Sequence, residues 1–317
     1  MAYALGCIAQ VSPRIEFRYT GSGNAFEQAK KVAELLMREG SVVFFSISTR
    51  GNEVQLTPIY ADNILMLKAH EDQHVRSTLS ADQKRALTIA ENLVRSVCAR
   101  HSSDYDRALA LHDYLVQNSQ YKIELHGKDT ANATAHLLLA GKGVCDSYTR
   151  TYGLLLSMAG IQNIFVAGNS KNGKNHCWNL VLLNNHWVHV DCTYSDPTPD
   201  IPGRILHSHF ALPDKLIERD HTWNRSLYPA AVSPELYYPY RHTSFRTMYD
   251  LLVWSNQKND GTYVTAYVEE LASVGMNSER VNHLIDNAYR RLGSTSLKTY
   301  ALDEHLPGII IFQCGTP

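Results

Sequence analysis

Cys145, His176 and Asp191 are the residues whose types and spacing could together do chemistry in this chain. His176 and Asp191 stand near the two ends of the segment KNHCWNLVLLNNHWVHVDCTY, on either side of Asn184-Asn185. Asparagine tolerates positive φ, so this pair reads as a two-residue type I′ turn joining two strands. Leu183 then faces His186, and the same register sets Trp178 against Asp191, Cys177 against Cys192 and His176 against Thr193. His176 and Asp191 become diagonal neighbours on one face, within side-chain reach. A one-residue slip would part them. An imidazole oriented by a carboxylate is a base with a fixed tautomer, and it needs a nucleophile to activate. Cys145 follows Gly141-Lys142-Gly143 and falls in the first turn of a helix. There the unpaired N–H groups and the helix dipole favour a thiolate and can hold an oxyanion. Ser147 and Ser157 lack that placement. Each residue alone has a plainer reading: a small buried cysteine, a structural histidine, a turn-capping aspartate. The combination is what marks them.

Two other patterns compete. His70-Glu71-Asp72-Gln73-His74 matches HExxH, which on one helix would give two zinc ligands and a glutamate base. The surrounding NILMLKAHEDQHVRS has little apolar surface to anchor a buried helix, so a solvated polar loop is expected and no metal is assigned. Cys177 and Cys192 fall opposite each other in the hairpin register, on the face away from His176, at a separation that would permit a disulfide. Two reduced core thiols are the expected state. Trp178, Trp187 and His189 share the His176 face and read as core or cleft wall.

The elements that must position these residues follow from period and caps. RIEFRY is a strand, NAFEQAKKVAELLMREG a helix stopping at Gly40, and SVVFFSIS and EVQLTPIY two strands around a Gly51 turn. Ser80 with Gln83 forms a capping box opening a helix to about Val97. A second helix is capped at Ser102 or Ser103, TANATAHLLLAG is a third, and a fourth begins at Cys145 with Tyr148, Tyr152, Leu155, Leu156 and Ala159 on one stripe and Gly160 as its stop. Strands follow from IQNIFVAG, until Pro197, Pro199, Pro202 and Gly203 break the pattern. Helices are expected over 263–274 and 279–292, with GIIIF as a closing strand. The expected division is an α/β module over 1–76, a catalytic core over 77–235 and a second α/β module over 236–317.

Bulk composition excludes several classes. The chain has 317 residues, 44% hydrophobic and 19% charged, with a formal net charge of −1. That balance gives no basic excess for nucleic acid or an anionic membrane, and no acidic tail that would read as a disordered arm. Its longest apolar runs are too short to span a bilayer. Six cysteines without a CxxC pair make neither a disulfide scaffold nor a zinc cluster, and no cofactor is implied. The N-terminus has no visible signal peptide, so composition leans to the cytoplasm. A chain from which a secretion signal had been removed would read the same way.

GKGVCDSYTRTYGLLLSMAGI, VAGN and NHCWNLVLLNNHWVHVDCTYSDP resemble the transglutaminase-like cysteine enzyme superfamily, with its G-V-C, H-x-W-N and W-x-x-V-D-x-T elements in order. The resemblance covers roughly 104–199, and FALPDKLIERDHTW is similar to a segment that follows the core in bacterial members. It implies an α+β, papain-like core in which a cysteine-bearing helix packs on an antiparallel sheet carrying His and Asp. By that resemblance Cys145 is the nucleophile, His176 the base and acid, and Asp191 the orienting carboxylate. The implied substrate is a protein or peptide, attacked at peptide or glutamine amide bonds by hydrolysis, deamidation or amine transfer. The rival readings are a catalytically silent binding module of this fold and an HExxH metallopeptidase. Cys177 departs from the alanine common in relatives and Tyr194 from their tryptophan. No side chain beside the oxyanion is assigned, and the long calcium-regulated layout of animal transglutaminases is absent.

Overall fold

In the computed structural model, residues 2–37, 41–125, 130–201, 203–275, 277–293, 300–303 and 306–314 are described. The Gly40 helix stop and Pro202 lie outside them. The centre of the molecule is a five-stranded antiparallel sheet, in the order His221–Trp223, Asn163–Ser170, Asn175–Leu183, His186–Val190, Phe210–Leu212. A smaller three-stranded sheet (Ile15–Arg18, Glu53–Tyr60, Val42–Arg50) carries the helix Ala25–Met37. A four-stranded sheet of Ser244–Phe245, Tyr263–Val268, Ile309–Gln313 and Tyr300–Leu302 lies with the helices Met248–Lys258 and Ser278–Leu292. Each assembly buries its own apolar cluster. Helix Asp62–Glu71 links the first assembly to the centre: Met66 and Ala69 enter the central core. Its buried Asp62 carboxylate accepts from Thr134 N (3.2 Å) and Ala135 N (2.6 Å), satisfying the start of helix Ala133–Ala140.

The helix Cys145–Met158 runs through the core with Tyr148, Tyr152, Leu154, Leu155 and Leu156 fully buried. It packs on one face of the central sheet, where Val181, Leu183, Val188 and Val190 meet it. The opposite face carries Val166, Trp178 and Leu180 against Leu212, Ile217, Tyr237 and Ile309. The sheet is therefore covered on both sides, which explains its nearly continuous apolar strands.

Several expected elements stand where the spacing put them. The Ser80–Gln83 capping box opens Ala81–Arg100, and Ser103 caps Asp104–Gln117. Others differ. No element was expected at Ala2–Ala9, which is a helix. The helix expected over 263–274 is a strand at Tyr263–Val268 followed by a short helix at Glu269–Val274. YVTAYV is rich in β-branched and aromatic residues, and pairing with Ile309–Gln313 buries Val264, Thr265 and Ala266. The HEDQH stretch is not a loop: it spans the end of helix Asp62–Glu71 and the start of Gln73–Thr78. Asp72 breaks it, with extended backbone (φ −128°) and a carboxylate accepting from His74 N (2.8 Å). His70 and His74 thus sit on different helices, and His70 bonds Glu91 (3.1 Å). The one-helix-face geometry that HExxH zinc binding requires is not present.

Candidate active site

Two glycines deliver Cys145 to its position. Gly141 ends helix Ala133–Ala140 at φ 63°, where a Cβ would meet the Asn118 carbonyl at 2.9 Å. A Cβ on Gly143 would stand 2.6 Å from the Ser147 Cβ, so only glycine lets the chain enter the next helix so closely. The Ser147 hydroxyl then accepts from Val144 N (3.3 Å), and Cys145 becomes the first helical residue.

The hairpin turn is as the sequence predicts. Asn184 and Asn185 have φ of 49° and 65°, and Leu183 pairs with His186, continuing to Asn179 with Val190. The expected register stops there. Beyond Val190 the Asp191 N–H turns to the His209 carbonyl (3.0 Å), so the pairings of Trp178 with Asp191 and Cys177 with Cys192 are not made in the ladder. Asp191 still reaches His176: its Oδ2 lies 2.6 Å from His176 Nε2.

The structure brings Cys145, His176 and Asp191 together. The Cys145 thiol lies beside both the His176 ring and the Cys177 thiol, close enough for each to shift the other's ionisation. Because His176 Nε2 is committed to Asp191, Nδ1 is left to face the sulfur. Cys145 is 6% exposed and Asp191 1%, so charges here interact with little screening. The thiol is pushed down to about 5, first by the hydrogen bond from Cys177 and then by His176, against the cost of burial. His176 is pushed up to about 10: burial opposes its charge, but Asp191 and the sulfur outweigh it. Asp191 is held far below the usual carboxylate range; burial opposes this, and His176 and His221 overcome it. Its Oδ1 also accepts from Thr193 N (2.8 Å) and Tyr194 N (3.1 Å). Both shifts run in the direction of a thiolate–imidazolium pair. Asp146 does not repel the sulfur from an exposed helix start, because both its oxygens lie 2.8 Å from Arg150 Nε, itself buried.

Cys177 departs from its expected place. Strand alternation sends it to the face opposite His176, and that is the face on which the Cys145 helix packs. Thr149 Oγ1 donates to the Cys177 carbonyl (3.0 Å) and approaches its sulfur (3.5 Å). At the end of strand Asn175–Leu183 the helix terminus overhangs both residues, so one sulfur touches His176 and Cys177 together. Cys177 and Cys192 are free thiols. The adjoining Cys145 sulfur, together with burial, holds Cys177 well above the usual thiol range, as a neutral donor. Cys177→Ala is therefore expected to raise the pH midpoint of Cys145 alkylation from about 5 by one unit or more, with His176 untouched. A mass-spectrometric alkylation series across pH reads this directly, and an unmoved midpoint removes Cys177 from the site.

Trp178 and His189 are structural. The buried indole donates to His189 Nδ1 (2.9 Å), and His189 Nε2 donates to Asp214 (2.8 Å), fixing a neutral tautomer. Burial holds His189 below the ordinary histidine range.

Three residues near the site carried no assignment from sequence. His221 Nε2 donates to Asp191 Oδ2 (3.0 Å), its Nδ1 faces Asp220 Oδ1 (2.5 Å), and Asp220 Oδ2 faces His209 Nε2 (2.7 Å). Adjacent Asp220-His221, within the DKLIERDHTW segment, is the only signal that could have found them. These groups, and His112 with Asp113 and His207, bring donor atoms within 4.8 Å of one another. Ligands about 2.0–2.2 Å from a tetrahedral zinc stand roughly 3.3 Å apart. Separations of 2.5–3.0 Å are those of a proton shared between nitrogen and oxygen.

A search of curated proteins returned no match. Among solved structures, a TGase matches at 16% identity and a TM-score of 0.33, over 59% of this chain and 52% of that one. The periplasmic domain of TgpA from Pseudomonas aeruginosa matches at 15% identity and a TM-score of 0.30, over 45% of this chain and 53% of that one. The chain thus spans about half the length of each. Residues 91–192, which hold all three clustered side chains, match the profile of the transglutaminase-like superfamily.

Proposed function

We propose that the protein is a cysteine-nucleophile acyl-transfer enzyme acting at peptide or glutamine amide bonds of protein or peptide substrates. The observation that carries this reading is the contact chain from the Cys145 thiol through His176 to Asp191, with the sulfur in the first turn of a buried helix. Cys145 thiolate adds to the amide carbonyl. First-turn N–H groups, which have no intrahelical acceptor, stabilise the oxyanion. His176 gives its proton to the departing nitrogen, the C–N bond breaks, and a thioester remains on Cys145. His176, now neutral, takes a proton from water or an amine as it attacks; the C–S bond breaks and the Cys145 thiolate is released beside the imidazolium. Asp191 keeps the ring oriented through both steps. Hydrolysis is favoured over crosslinking, since water suffices as the second substrate.

The test is a peptide library incubated with the protein and read by mass spectrometry, with and without hydroxylamine as a competing nucleophile. Cleaved peptides identify a peptidase, deamidated glutamine a deamidase, and hydroxamates the common thioester. Absence of all three, with Cys145 unreactive to iodoacetamide at pH 6, would leave a binding module of this fold.

A further inference from the structure

We infer that His221 is a positioning residue that shares the Asp191 Oδ2 acceptor with His176, and so sets both the orientation of that carboxylate and its hold on the His176 proton. This rests on the acyl-transfer reading and extends it to a second histidine.

The geometry leaves His221 little freedom. Its ring bridges two buried carboxylates, Asp191 at 3.0 Å and Asp220 at 2.5 Å, and is itself 1% exposed. An ionised carboxylate only accepts, so the ring can meet each of the two only by presenting an N–H to it. The chain continues through Asp220 to His209 Nε2 (2.7 Å), whose Nδ1 meets the Ser208 hydroxyl (3.1 Å). Asp220 sits far below the ordinary carboxylate range because His209 and His221 outweigh the penalty of burial. The ring is clamped by Trp178 (centroids 4.8 Å, edge-on), Tyr194 (4.6 Å) and His176 (5.2 Å). The titratable groups facing it are therefore Asp191 and His176 from the hairpin, Tyr194 from the following loop, and Asp220 and His209 from the next segment. His189 acts from further along the sheet.

Two donors on one oxygen compete. A second N–H donor at Oδ2 draws charge from Asp191 and weakens its grip on the His176 proton. His176 must give that proton up to serve as base in thioester hydrolysis. Without His221, the undivided carboxylate would hold His176 as imidazolium to higher pH, and deacylation near neutrality would slow.

The probe is p-nitrophenyl acetate with the full-length chain. Cys145 displaces p-nitrophenolate to form an acetyl thioester, and water then releases acetate. With the thiolate consumed, the pH midpoint of deacylation reports the His176–Asp191 pair alone. In His221→Leu we expect this midpoint to rise by about one unit, with deacylation about tenfold slower below it. His221→Gln, whose amide can still donate to Asp191, should recover most of the wild-type rate. Asp220→Asn removes the carboxylate that holds the far side of the ring and should move the midpoint the same way, deciding the matter if His221→Leu fails to fold. A midpoint unchanged in the folded variants overturns the inference and leaves His221 as packing. No Cys145-dependent burst in the wild type would instead overturn the acyl-transfer reading, and the inference with it.

Discussion

Cys145→Ala is expected to abolish the p-nitrophenolate burst entirely, and His176→Ala to slow acylation by a factor on the order of 10⁴–10⁶ at pH 7. The two losses have different causes and different pH signatures. Alanine at 145 removes the only atom that can form the thioester. Alanine at 176 leaves the sulfur but removes the cation that helps hold it ionised, along with the proton donor for the leaving group. In the wild type the reactive ion pair should exist from about pH 5, where Cys145 ionises, to about pH 10, where His176 loses its proton. The sign follows from the directions: a lowered thiol gains charge early as pH rises, and a raised imidazole keeps its charge late. In His176→Ala the acid limb should move upward toward the ordinary thiol value near ~8.5, short of it by the remaining contribution of Cys177. Iodoacetamide rates measured across pH in both proteins check this. A His176→Ala midpoint still at about 5 would mean that Cys177 alone holds the thiolate and that His176 is not its partner.

The parts of the site legible in sequence are those fixed by local rules. Asn184-Asn185 specified a turn type and the turn a register that holds as far as Val190, one residue short of Asp191, which leaves the ladder and still reaches His176. Gly141 and Gly143 before Cys145 marked the turn into its helix. What the sequence concealed depends on long-range pairing. His221 reaches Asp191 because strand His221–Trp223 adds to the edge of Asn163–Ser170, pairing His221 with Ser170. No periodicity announces such a partnership across that separation. Cys177 was misplaced for a related reason. Alternation along its strand is correct, but it says nothing about which face the Cys145 helix covers, or that the start of that helix overhangs the strand's first residues. The strand at Tyr263–Val268 was missed because apolar spacing was weighed above β-branched content, and its pairing with Ile309–Gln313 decided the outcome.

Asp191→Asn is expected to lower acylation by about 10⁴ while leaving the thiol available for chemical modification, because it changes the tautomer of His176 rather than removing a reacting atom. The asparagine Oδ1 can still accept from Thr193 N and Tyr194 N. At the other position an NH₂ group now faces His176 Nε2 and His221 Nε2, where a carboxylate oxygen faced both. An amide donor requires an acceptor, so His176 must deprotonate at Nε2 and carry its proton on Nδ1, pointing at Cys145. A neutral ring in that tautomer cannot take a proton from the thiol. The thiolate then loses its cationic partner, and the alkylation midpoint should rise together with the loss of acylation. Asp191→Ala is the harsher change. It leaves four donors without their acceptor in a buried site, at about 1–3 kcal/mol for each that water cannot reach, so lowered stability accompanies its lost activity. The asparagine variant separates the two effects: folded by circular dichroism, with Tm within a few degrees of wild type, and inactive. Wild-type acylation in folded Asp191→Asn would show that His176 needs no orienting carboxylate, and would reduce Asp191 to a cap for the turn at Thr193 and Tyr194.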